Sequence, residues 1–293
     1  MKLQYKTRFM TGLLVMLSVA THAAEDNTIT VTRDIQYTIN PDSRARLNQL
    51  DIYAPNTPGP HPVLVFIHGG SWRFGDKRMV GGKPEAFTTA GYVFVSINYR
   101  LSPEVQHPAH AQDCGKAIAW IHKNIAQYGG DPKRIYVMGH SAGAHLAALI
   151  ATDETYLKEG GCDLSAIRGA IVLDGGGYDI PTMVNSGELF AKGRYERAFG
   201  KSKESWRNAS PITHVAKNKK IPPFLLVHAG ERVASQEQAD GLAAALTKAG
   251  ITARQFDAPD KNHLTLNSDI GEKNDATTKE ILAFMEANGA KRP

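Results

Sequence analysis

Gly139-His140-Ser141-Ala142-Gly143 places a hydroxyl between two glycines, after the apolar run Ile135-Tyr136-Val137-Met138 and before the helix-forming run 144–150. That order predicts a strand, a sharp turn and a helix, with Ser141 Oγ raised at the carboxyl edge of a sheet above a helix N-terminus. The glycines leave room for strand and helix to approach closely. A serine so placed does nucleophilic chemistry if a base removes its proton and N–H donors hold the developing oxyanion. A second stretch, His68-Gly69-Gly70-Ser71-Trp72, follows the apolar run 63–67. Its consecutive glycines let the backbone turn N–H groups outward, so the Gly69 and Gly70 amides, joined by that of Ala142, are the candidate oxyanion donors. Trp72 is a candidate wall of an acyl or alcohol pocket.

The elements that must hold these groups follow from hydrophobic patterning. Strands are predicted over 28–39, 47–53, 63–67, 92–98, 134–138, 167–173, 224–228 and 252–257, with Pro41 and Asp42 marking an early turn. Helices are predicted over 83–90, 109–128, 235–248 and 277–287, with another near 187–199. Run 63–67 is apolar throughout, as a strand buried on both faces requires. Alternating strand and helix implies an α/β fold with a mostly parallel central sheet and helices on both faces. Ligands in such sheets bind beyond the carboxyl ends of the strands, where both motifs fall.

The chain has 293 residues, is 42 % apolar and 22 % charged, and carries a formal net charge of +5. This is enough for one large α/β domain over 25–293. Lys2, Lys6 and Arg8 precede an uncharged run from Phe9 to Ala20, with small residues at Ala23 and Ala24. Residues 1–24 therefore read as a secretory signal peptide, too short to span a membrane, and export to a periplasm or the medium is expected. Its removal would leave the chain only mildly basic. Lysine and arginine do not cluster with aromatics, so neither nucleic acid nor an anionic membrane is indicated as a partner. Cys114 and Cys162 could form one disulfide in an oxidising compartment or remain two thiols, and their spacing suits no metal.

Taken together, the two glycine motifs resemble the α/β-hydrolase esterase/lipase family, in the branch of hormone-sensitive-lipase-like esterases and arylformamidases. The resemblance extends to Gly75-Asp76-Lys77, to the segment 98–104, to Tyr128-Gly129-Gly130-Asp131-Pro132 and to a histidine after the last strand. It implies a Ser–acid–His order along the chain, with His263 as the base and with Asp76, Arg100 and Asp113 structural. The insertion over about 175–215 would be a small cap, making Tyr178, Met183, Leu189, Phe190 and Phe199 pocket candidates. His140, beside the nucleophile, is a further pocket candidate, while His68, His145 and His228 read as packing residues.

The acid departs from the family pattern. The loop after 224–228 should supply it, but reads Ala229-Gly230-Glu231-Arg232-Val233-Ala234-Ser235, whereas relatives carry aspartate nearest Arg232 or Ala234. Glu231 is the loop's carboxylate and the expected acid. Asp260 is the second candidate, and a missing acid is the third possibility. The resemblance implies a serine carboxylic-ester hydrolase that needs no cofactor or metal, acting through an acyl-enzyme on short-chain or small soluble esters. An arylformamidase, a plant-polymer acetyl or feruloyl esterase, and an impaired hydrolase fold serving as a binding protein remain open. Oligomeric state is not readable from the sequence.

Overall fold

The computed structural model describes residues 29–40, 44–187, 190–230 and 232–289. The expected signal peptide, the turn at Pro41 and Asp42, and Leu189 and Glu231 lie outside the described residues.

The strands are β1 (Ile29–Gln36), β2 (Gln49–Pro55), β3 (His61–Ile67), β4 (Val93–Ile97), β5 (Gly130–His140), β6 (Ile167–Leu173), β7 (Phe224–Ala229) and β8 (Ala253–Ala258). They form one sheet in the order β1-β2-β4-β3-β5-β6-β7-β8. β2 pairs antiparallel with β1 and β4, and every pairing from β4 to β8 is parallel. The mostly parallel sheet expected from the alternation is therefore present.

Helices α1 (Lys83–Thr89), α2 (Ala109–Asn124), α3 (Ala142–Thr152), α4 (Thr155–Lys158), α5 (Ile180–Val184), α6 (Ala191–Phe199), α7 (Lys203–Asn208), α8 (Val233–Lys248), α9 (Thr265–Ser268) and α10 (Ala276–Ala287) complete the chain. Residues of β3 alternate between two cores. Val63, Val65 and Ile67 join Ile118 of α2 and Leu146 of α3, whereas Leu64 and Phe66 join Phe87 of α1 and Phe284 of α10. Period-two alternation thus buries both faces, and each such side chain contributes roughly 1.5–3 kcal/mol. The four-residue helices α4 and α9 escape the sequence pattern because so short a helix is held by its packing, not its own periodicity.

Between β6 and β7 the chain forms α5, α6, α7 and the 3-10 turn Pro211–His214. This is the segment expected as a cap. Trp72 fastens it, packing edge-on against His145 at 5.3 Å and Phe199 at 4.8 Å between ring centres, with Tyr195 at 5.5 Å. Phe199 is buried in this cluster and lies among the residues holding cap to core.

The charged residues expected to be structural make local ties. Arg100 donates from Nε and Nη2 to the two carboxylate oxygens of buried Asp113, at 2.7 and 2.8 Å. Asp76 accepts from Arg46, Asn98 and the Arg78 amide. Cys114 is buried, Cys162 is half-buried, and both are free thiols.

Candidate active site

Ser141 sits between β5 and α3 with φ +56° and ψ −118°, a left-handed conformation that side chains other than glycine rarely adopt. The flanking glycines make it possible. A Cβ on Gly139 would collide with the Gly143 carbonyl, and one on Gly143 with the Ile67 carbonyl oxygen. Gly69 also lies against the elbow, less tightly: its Cβ would stand 2.9 Å from the His140 carbonyl oxygen and 3.2 Å from Ser141 Cβ. Gly70, Ser71 and Trp72 then follow one another at positive φ, turning the chain sharply beside the nucleophile. Gly69 and Gly70 line the groove at Ser141, and Ala142 is the first residue of α3, so the expected oxyanion donors gather around one hydroxyl.

His263 lies between β8 and α9, with Nε2 3.1 Å from Ser141 Oγ. Its other ring nitrogen, Nδ1, is 2.5 Å from Oδ2 of Asp174, the first residue after β6. This corrects the expectation that the acid follows β7. Glu231 is not described, Asp260 makes no bond to the imidazole, and the carboxylate on His263 Nδ1 is that of Asp174. The reason lies in the sheet. The Ser141 amide donates to Leu173 O and the Asp174 amide to Val227 O, at 2.9 and 2.7 Å. The end of β6 is thus tied to both neighbours, and a carboxylate there reaches the same imidazole.

Asp174 is fully buried. Burial alone would raise its pKa, but hydrogen bonding from His263, Ser235 and Arg232 outweighs it and holds the carboxyl well below the usual carboxylate range. Arg232, in the loop expected to supply the acid, turns this exchange around. Its Nη1 donates to Asp174 Oδ2 at 2.7 Å and lies 2.7 Å from His263 Nδ1. A guanidinium has only donors, so Nδ1 either gives its proton to Asp174 or receives one from Arg232, and only the first leaves Nε2 free to take the serine proton.

The other histidines divide as expected between packing and support. His140 donates from Nε2 to the His263 carbonyl at 2.8 Å and also lines the groove, while burial, helped by neighbouring His263, lowers its pKa to about 3. His145 donates to Ala209 O in the cap, again lowered to about 3 by burial. His68 stacks on Tyr99, and burial lowers it to about 4. His228 lies buried at the end of β7 beside Asp257.

Two cavities flank Ser141. One, of about 290 Å³, is walled by Trp72, Met183, Arg194, Tyr195 and Arg232. The other, of about 280 Å³, is walled by Phe66, Phe74, Met79, His140 and Leu264. Trp72 and Met183 thus reach the pocket while packing against the core. Tyr178 does not: it is 1 % exposed, and its hydroxyl lies where a Cβ on Gly175 would sit. Its ring fills the space beneath the glycine loop, which corrects its expected place on the pocket wall.

The sequence did carry a sign of Asp174. It is a charged residue directly after the apolar run 169–173 and followed by three glycines, beside the strand of the nucleophile. A carboxylate buried at a strand end requires donors, and the donors nearest a nucleophile are its base and the groups around it.

The BD-FAE family model matches residues 50–246. Esterase LipQ of Mycobacterium tuberculosis is 36% identical over 79% of this chain and 56% of its own length. The chain spans about half the length of the curated relatives it matches. Among solved structures, a truncated carbohydrate esterase from gut microbiota superposes with a TM-score of 0.74 at 23% identity, covering 92% of this chain and 99% of that one. Esterase B from Lactobacillus rhamnosis gives a TM-score of 0.72 at 20% identity over 90% of this chain and 87% of its own.

Proposed function

Since the chain belongs to the BD-FAE family and has the α/β-hydrolase fold, we propose that it is a serine carboxylic-ester hydrolase working through an acyl-enzyme. The observation that carries this reading is the continuous line Ser141 Oγ, His263 Nε2, His263 Nδ1, Asp174 Oδ2. His263 takes the Ser141 proton as Oγ bonds to the ester carbonyl carbon. The Gly69, Gly70 and Ala142 amides receive the oxyanion. His263 then protonates the leaving alkoxide as the carbon–oxygen bond breaks, and water, deprotonated by the same imidazole, releases the acid and restores Ser141. Asp174 stays ionised throughout, selects the Nδ1–H tautomer and stabilises the imidazolium.

Cavities of this size suit small, soluble esters. Esterases are named among the relatives and structural neighbours, in keeping with this reading. Export, proposed from the basic and apolar patterning of residues 1–24, would place the enzyme in a periplasm or outside the cell. The binding-protein alternative drew on a missing acid, and Asp174 removes that ground.

Hydrolysis of p-nitrophenyl acetate, butyrate and octanoate tests the proposal against Ser141→Ala. The expected result is turnover favouring the shorter acyl chains and a fall of about 10⁶-fold in kcat in the variant. Equal rates from the two proteins would overturn it.

A further inference from the structure

Arg232 meets the triad through a single atom. Its Nη1 lies 2.7 Å from Asp174 Oδ2, 3.3 Å from the Asp174 carbonyl oxygen and 2.7 Å from His263 Nδ1. That nitrogen carries two hydrogens, and Asp174 offers an acceptor for each. None then remains for the imidazole, and Nδ1 donates to Oδ2. Asp174 itself stands at φ +45°, strained as Ser141 is, and its side chain is fully buried. The guanidinium therefore fixes the direction of the carboxylate and also offsets its charge, at almost the same distance from Nδ1, 2.7 Å against 2.5 Å. The other ionisable groups around His263 do neither. His140, from the end of β5, has its ring centre 4.5 Å away, and burial lowers its pKa to about 3. On the histidine's own loop Lys261 is ion-paired with Asp269 and Asp275, and Asp260 precedes it. Lys83 of α1 donates to the Asn267 carbonyl, and Arg194 of α6 lines the same cavity as Arg232.

We propose that Arg232 is a positioning residue of the triad whose effect depends on Asp174: beside the carboxylate it commits the Nδ1 proton to Oδ2 and discourages a second proton on the resting imidazole, and without the carboxylate it blocks the base. The inference rests on the esterase reading and adds a residue to its machinery. With the Asp174 side chain gone, one hydrogen of Nη1 is released, and Nδ1 is the acceptor 2.7 Å away. The imidazole proton then sits on Nε2, which faces Ser141 and can no longer take the serine proton. With Arg232 gone instead, the charge of Asp174 is unbalanced beside the imidazole and favours its doubly protonated form, so the base is lost at a higher pH. The loop after β7, which contains no aspartate, thus serves the acid rather than supplying it.

Hydrolysis of p-nitrophenyl butyrate by the parent, Arg232→Ala, Asp174→Gly and the double variant tests this, glycine being the residue that accepts the positive φ at 174. In the parent background Arg232→Ala should move the acid limb of the kcat/KM profile up by about one pH unit, with KM within about twofold. Arg232→Lys, which keeps the charge, should move the limb by less than about half as much. Arg232→Gln, uncharged and of similar reach, repeats the comparison if the alanine variant melts early. In the Asp174→Gly background the effect should change sign, Arg232→Ala raising kcat by about tenfold. An arginine that only braces the loop would lower kcat in both backgrounds and leave the limb where it was. An unmoved limb, or a loss of kcat in both backgrounds, overturns the inference while turnover by the parent leaves the esterase reading standing. Absence of turnover by the parent overturns both.

Discussion

Ser141 and Asp174 end adjacent strands and meet the same imidazole, but the chain holds them in different ways. The elbow is confined on every side: Gly139 meets the Gly143 carbonyl, Gly143 meets that of Ile67, and Ser141 is forced to positive φ. Such a turn tolerates one arrangement of residue types, so it leaves a mark in the sequence. The acid has one requirement, a carboxylate oxygen within reach of His263 Nδ1. The ends of β6 and β7 are hydrogen-bonded neighbours, with Asp174 N on Val227 O and the Ala229 amide 3.4 Å from Asp174 Oδ1. Either end is a plausible origin for the carboxylate. A catalytic group fixed by backbone sterics keeps its place in the chain, whereas one fixed by a single hydrogen bond is free to change strands.

After the loss expected of Ser141→Ala, the largest effect should come from the acid. Asp174→Asn should lower kcat by about 10⁴-fold with little change in KM, because the imidazole then lacks the partner that fixes its tautomer. Steady-state kinetics on a p-nitrophenyl ester checks this, and a loss under tenfold would return the acid to the β7 loop.

Acid pH should strike the elbow side next. His68, His140 and His145 surround it, with His110 beneath, and burial holds them at about 4, 3, 3 and 3 against an ordinary 6.5. The unfolded chain protonates first. Their stabilising effect is therefore complete above pH 6.5 and is lost as pH falls toward 3–4. Between pH 6.5 and 5 the four together should lose on the order of 5 kcal/mol. Thermal melting across that range should show Tm falling by about 10–20 °C, less in His145→Gln. An unchanged Tm would mean these rings are protonated in the fold.

Gly143→Ala should cost about 3 kcal/mol in urea unfolding, since the methyl group meets a main-chain carbonyl that cannot turn aside. The smallest effect is reserved for the residue that the sequence favoured: Glu231→Gln should alter kcat by less than about threefold. A loss comparable to that of Asp174→Asn would make the β7 loop, not β6, the source of the acid.

The same distinction accounts for what was legible beforehand. The elbow, the Gly69-Gly70 loop and the parallel sheet leave local patterns: glycines where backbones touch, and apolar runs where a strand is buried twice. Asp174 was written in the sequence as plainly as Ser141, but its role depends on which strand lies beside which and on how far a loop reaches. Tyr178 was misplaced for a related reason. An aromatic residue in a cap insertion serves equally as pocket wall or filler, and the collision between its hydroxyl and any Cβ at Gly175 is a tertiary fact. Helices α4 and α9 were invisible because four residues carry no period.

Trp72 belongs both to the loop of the proposed oxyanion donors and to the aromatic cluster that includes Tyr195 and Phe199 of α6. Lifting α6 away from the sheet would pull on the backbone proposed to hold the oxyanion. On the proposed esterase reading, a roof fastened in this way gives no advantage at an oil–water interface: the rate on a short ester should follow one smooth saturation curve straight through the concentration at which the ester ceases to dissolve.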